Sequence, residues 1–172
     1  SGQAYPDKPI RIIAPGAGGG ADLAIRLIVP PLSTGLGQSI VIENRGGNVI
    51  STVGPVIKAA PDGYTLLFYG SGLLLFPIMS PGAFDLFKDF APITLVDSSP
   101  NVLVLHPSLP VNTVKELIAL AKNKPGVLNY AGGTPGTAPQ LAASLFNAMA
   151  GTDIKRIPYK GTGQALTDLA TG

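Results

Sequence analysis

Four glycines near the start of this chain, followed by an acid placed to cap a helix, have the backbone chemistry to hold a small anion. In residues 10–26, IRIIAPGAGGGADLAIR, an apolar run of strand type leads into Gly16, Gly18, Gly19 and Gly20. Asp22 stands at the head of a helical pattern, where an N-cap belongs. A turn with so few side chains lets a ligand reach the backbone. The helix after it aims its unpaired N–H groups and the positive end of its dipole at the same place. Ala17, Gly18, Gly19 and Gly20 thus offer an anion site built from backbone. The plain alternative is a glycine-rich connection with no ligand. Gly70-Ser71-Gly72 ends a later apolar run and adds the Ser71 hydroxyl. Residues 132–137, GGTPGT, repeat the opening design with the hydroxyls of Thr134 and Thr137.

Other chemistries find less support. Gly16, Gly18 and Ala21 satisfy G-x-G-x-x-A after a strand, and Glu43 ends the next strand, as in a dinucleotide-binding oxidoreductase. The spacing to Glu43 is long, Pro30-Pro31 interrupts the helix, and no catalytic partner follows. Glu43 and Arg45 read more simply as a strand-end ion pair. A phosphate loop needs Gly-Lys-Ser/Thr, yet Gly20 precedes Ala21-Asp22. His106 is the sole histidine and no cysteine is present, so neither a histidine metal cluster nor a thiolate site can form. Ser71 and Ser98 have no base beside them to activate a hydroxyl. Asp62, in Pro61-Asp62-Gly63, is a turn former. Lys160 is a surface lysine next to Tyr159, or a charge lent to a cleft.

Composition narrows the partners. Of 172 residues only 13% are charged and 45% are apolar, with a net charge of +2. That leaves little surface for nucleic acid, and no run of Lys or Arg suggests it. Lys115, Lys122 and Lys124 read as the solvated face and end of a helix. No run approaches the roughly 18 apolar residues of a membrane helix. The absence of cysteine suits an exported protein, though many cytosolic ones lack it too. The opening SGQAYPDKP is no signal peptide and reads as a mature terminus or an expression terminus.

The elements that would position these loops alternate as in an α/β protein. Strands are expected over 10–14, 39–42 and 64–69, with helices over 22–29 and 52–59. Pro30-Pro31 should kink the first helix or restart it at Leu32. Residues 80–89 read as a loop. Residues 93–96 and 102–105 read as extended strands running from one lobe into another, which places a boundary near 97–101. Beyond it come an amphipathic helix over 113–123, with Val114, Leu117, Ile118 and Ala121 on one face, a strand over 129–131 and a helix over 141–149.

The fragments APGAGGGADLAIR, LSTGLGQSIVIENRGG, AAPDGYTLL, FKDFAPIT, TVKELIALAKNKPGVLNYA, TAPQLAASLF and IPYKGTGQALTDLATG occur in this order between Tyr5 and Gly172. Together they resemble the Bug-type, TctC-like receptors of tripartite tricarboxylate transporters. The resemblance implies an α/β fold like that of type II periplasmic binding proteins, with a ligand cleft between a first lobe (1–98) and a partial second lobe (99–172). It implies capture of a small organic acid in the periplasm and its delivery to permease subunits of the membrane, without catalysis, cofactor, metal or nucleic acid. The acid is a mono-, di- or tricarboxylate, or an acidic or aromatic acid, held by backbone amides, hydroxyls and water. Carried over by motif, its contacts fall on Ala17, Gly18, Gly19, Gly20, Asp22 and Ser71, and on Gly133, Thr134, Gly136, Thr137 and Gly161. Three departures stand out. The first loop is one residue short with Gly16 in place of an aromatic, Asn48-Val49-Ile50 replaces small residues, and Pro30-Pro31 sits in the first helix. By the family's pattern Gly172 falls before the chain's return to the first lobe.

Overall fold

A computed structural model of the chain describes residues 5–132, 136–159 and 162–172. Strand β1 (Ile10–Ala14) is buried at every position except Arg11. It pairs in parallel with β2 (Ile40–Asn44) on one side and β3 (Thr65–Leu67) on the other. A central parallel strand is covered on both faces, which is why IRIIA reads as a nearly continuous apolar run. Helix α1 (Gly20–Leu36) covers one face, where Ile25 packs on Ile10, Ile12 and Ala14. Helices α2 (Val49–Ile57) and α3 (Gly72–Met79) cover the other through Val49, Val53, Leu73 and Phe76. Phe84 completes that layer, stacked on Phe76 at 6.0 Å and edge-on to Phe90 at 5.9 Å.

The later elements are α4 (Val114–Asn123), β4 (Asn129–Gly132), α5 (Ala138–Ala150), β5 (Lys155–Pro158) and α6 (Thr162–Thr171). β4 and β5 form a parallel pair, with Asn129 beside Lys155 and Gly132 beside Pro158. Thr113 and Glu116 cap α4 reciprocally, each side chain accepting from the other's backbone N–H. Leu117 and Ala121 are its buried residues; Val114, expected on the same face, is exposed. Among the described residues no helix is long and apolar enough to cross a membrane.

Several expectations need correction. Helix α1 begins at Gly20 with Gly19 as its N-cap, so Asp22 is the third helical residue and not the cap. The helix does not restart at Leu32 but runs through Pro30 and Pro31 to Leu36. Both prolines, and Arg26 and Leu27 four residues before them, lie on the exposed side, so the carbonyls that lose a donor can turn to water. Helix α3, over GLLLFPIM, was not expected at all. Residues 93–96 and 102–105 join no strand ladder among the described residues, and Ile93, Leu95 and Val102 are about four-fifths exposed (77%, 84% and 77%).

Candidate functional site

The loop between β1 and α1 is held from within. Gly18, at φ +78°, donates its N–H to Asp22 Oδ2 at 3.0 Å. Asp22 Oδ1 accepts from Arg26 Nε at 3.0 Å and from Asn44 Nδ2 at 2.8 Å. Asn44, the last residue of β2, also donates to the Pro15 carbonyl at 2.9 Å and accepts from Arg26 at 3.0 Å. Burial pushes the Asp22 carboxyl up. The bonds from Arg26, Gly18 and Asn44, together with the Arg26 charge, outweigh it and leave the carboxyl below its ordinary pKa. The N–H groups of Gly19, Gly20 and Ala21 donate to no acceptor among the described residues.

The loop between β4 and α5 is built the same way. Gly136, at φ +81°, donates its N–H to Gln140 Oε1 at 3.2 Å, and Gln140 donates in turn to Ser144 at 2.9 Å. Thr137 is the N-cap of α5. In both loops a glycine with positive φ stands immediately before the N-cap, and the third helical residue accepts its amide proton. Tyr159, just past β5, donates to Asp168 at 2.8 Å, which ties the end of that strand to α6. The same bond raises the Tyr159 pKa.

The four strand-to-helix loops meet in pairs. A Cβ placed on Gly18 would lie 3.5 Å from the Gly163 Cα, and one on Gly163 would lie 3.4 Å from the Gly18 carbonyl oxygen. The N-termini of α1 and α6 therefore touch, backbone to backbone. Thr162 Oγ1 reaches the same seat, 3.7 Å from a Cβ on Gly19. The second seat joins α3 and α5. A Cβ on Gly72 would overlap the Gly136 carbonyl oxygen and lie 3.0 Å from the Thr137 Cα. Phe76 and Val49 close in behind Gly136, at 2.8 and 3.1 Å from its virtual Cβ. Because β1 and β3 are neighbours, and β4 and β5 are neighbours, four helix N-termini converge on one seam. Positive dipole ends and unpaired amides gathered in this way favour a small anion.

Of the positions expected to contact a ligand, Gly18, Gly19, Gly136 and Thr137 lie at the seats, and Ala17 and Gly20 flank the first. Ser71 is the N-cap of α3, beside Gly72, and its hydroxyl makes no hydrogen bond among the described residues. The Asp22 carboxylate is engaged by Gly18, Arg26 and Asn44. Gly133, Thr134 and Gly161, and Lys160 with them, lie outside the described residues. Glu43 is a strand-end ion-pair partner, accepting from Arg45 at 2.6 Å and lying 3.5 Å from Arg11. Asp62 accepts the Tyr64 N–H at 3.0 Å, the turn role expected of it. His106 is paired locally with Ser108 at 2.7 Å. Sequence reasoning missed Gly163, Thr162 and Phe76 at the seats, and noted Val49 only as a departure from pattern. Val49 is fully buried at the start of α2, and Asn48 is that helix's cap.

Residues 24–172 match the family model described as "Tripartite tricarboxylate transporter family receptor". The chain belongs to this family. It is 37% identical to Protein BugT of Bordetella pertussis, over all of this chain and 54% of BugT. Among solved structures it resembles one described as a periplasmic transporter (TM-score 0.91, 35% identity), over 96% of this chain and 57% of that one. It also resembles R. palustris Rpa4515 with adipate (TM-score 0.86, 34% identity), over 98% of this chain and 57% of that one. The mixed α/β fold is that of Bug-type periplasmic binding proteins. The chain spans about half the length of the relatives it matches.

Proposed function

We propose that this chain is part of a periplasmic receptor that captures a small organic carboxylate between two lobes, residues 1–98 and 99–172, and presents it to a transporter permease. The convergence of the α1, α3, α5 and α6 N-termini on one seam, with the amides of residues 19–21 unpaired among the described residues, carries this reading. The adipate bound by Rpa4515 supports a carboxylate as the ligand class. In this reading Ala17, Gly19, Gly20 and Ser71 meet the ligand from the first lobe. Gly133, Thr134, Thr137 and Gly161 meet it from the second, while Gly18 and Gly136 shape their loops. Hydrogen bonds to an ionised acceptor are roughly twice as strong as neutral ones, and a closed, partly dry seam strengthens them further. Closure sets the second lobe's loops against the far end of the ligand, a difference of shape that a permease can detect.

A thermal-shift screen of organic acids tests the reading, since a ligand that binds only the folded state raises stability by mass action. At a hundred times its Kd, an acid adds about 2.7 kcal/mol. Adipate or a related di- or tricarboxylate is expected to raise the unfolding temperature. No response to any acid would count against the reading.

A further inference from the structure

We propose that Asp22 and Gln140 are paired positioning residues: each takes the amide proton of the glycine just before its helix, turning that glycine's N–H inward and aiming the next amides at the seam. The proposal rests on the carboxylate-receptor reading above and assigns roles within its site. Its support is that one device occurs twice, in loops of unrelated sequence (GAGGGAD and PGTAPQ) on separate sheets. In both, the acceptor is the third helical residue, the donor lies four residues earlier, and that glycine has φ near +80°. A capping side chain usually does the opposite, accepting from inside the helix. Gly19 has no side chain with which to cap α1, and Gln140, inside α5, accepts from outside the helix.

The two acceptors differ in charge for a physical reason. A bare carboxylate beside an anion site would repel the ligand, and Asp22 is only 6% exposed. Arg26 and Asn44 each donate to it and Arg26 also donates to Asn44, so its charge is compensated within the first lobe. Gln140 is neutral and needs only Ser144. Asp22 accordingly acts through the loop and does not touch the ligand.

The test compares Asp22→Asn, Gln140→Met and Gln140→Glu with the unaltered protein, using adipate as probe and amide hydrogen exchange at Gly18 and Gly136 as second readout. Asn at 22 has one acceptor for three donors, and Met at 140 has none; Glu at 140 keeps an acceptor oxygen. Asp22→Asn and Gln140→Met are each expected to weaken adipate at least tenfold and to speed exchange at their own glycine. Gln140→Glu is expected to keep Gly136 protected, which separates positioning from general packing. If Asp22→Asn fails to fold, Gln140→Met, on a half-exposed helix face, still decides. Folded variants with unaltered exchange and unaltered affinity would overturn the proposal. If the unaltered protein binds no adipate, exchange at Gly18 and Gly136 alone judges this proposal, while the receptor reading stands or falls separately on the wider screen of acids.

Discussion

At the scale of single residues, the site is governed by how much room the backbone leaves. Gly20 would meet the ligand through its N–H, which alanine keeps, and among the described residues nothing lies within 4 Å of a Cβ placed there, so Gly20→Ala is expected to leave affinity unchanged and stability within about 0.5 kcal/mol. Gly72 is the opposite case, because its Cβ would overlap the Gly136 carbonyl and the overlap is with backbone that cannot swing aside. Gly72→Ala should let each lobe fold yet keep the second seat from closing, weakening carboxylate binding tenfold or more. Gly19 has an ordinary extended backbone, φ −93° and ψ 173°, so a side chain is tolerated there. The methyls of Gly19→Val would stand toward Thr162 and crowd the amides of residues 19–21. Titration calorimetry on the three variants, with melting curves as the check on folding, should give the order Gly20→Ala, unchanged, ahead of the other two. Equal affinity for all three would remove these seats from the site. That a glycine loop runs from β1 into a helix N-terminus was legible in the sequence; which glycines carry a close contact was not, because contact depends on what the loops of the other sheet bring near.

At the scale of elements, the parts most legible in the sequence were those with a clean period or a local signal. IRIIA and the turn at Pro61-Asp62-Gly63 appear where expected, because burial on both faces and an Asx bond leave direct traces in residue type. Thr113-x-x-Glu116 likewise marks the start of α4. Thr113→Ala is expected to cost about 1 kcal/mol of stability, the usual value of a lost N-cap, with no change in ligand affinity. Chemical denaturation measures the first and calorimetry the second. Helix α3 was not legible, because GLLLFPIM is apolar on all sides, contains Pro77 and shows no helical alternation. Residues 93–96 and 102–105 misled in the other sense. Their β-branched residues suit a strand, but a strand also needs a neighbour to pair with. Asp22 misled because an acid near a helix start suits both an N-cap and the third position, and only the backbone tells them apart.

At the scale of the whole molecule, the described residues of the two sheets' loops meet at the Gly18–Gly163 and Gly72–Gly136 seats, close contacts that fit the proposed parting and closing of two lobes. The same 172 residues expose the apolar side chains of Ile93, Leu95, Val102 and Leu103 along a segment that joins no strand among the described residues. Unpaired backbone next to exposed apolar side chains invites association. Light scattering on the 172-residue chain, made by itself, is therefore expected to show oligomers at micromolar concentration; a monodisperse monomer would contradict this. What enters the seam is read out by titration calorimetry. With adipate and a panel of di- and tricarboxylates against NAD and NADP, saturable heat is expected from at least one acid and none from either dinucleotide. Tight binding of NAD with no response to any carboxylate would contradict it.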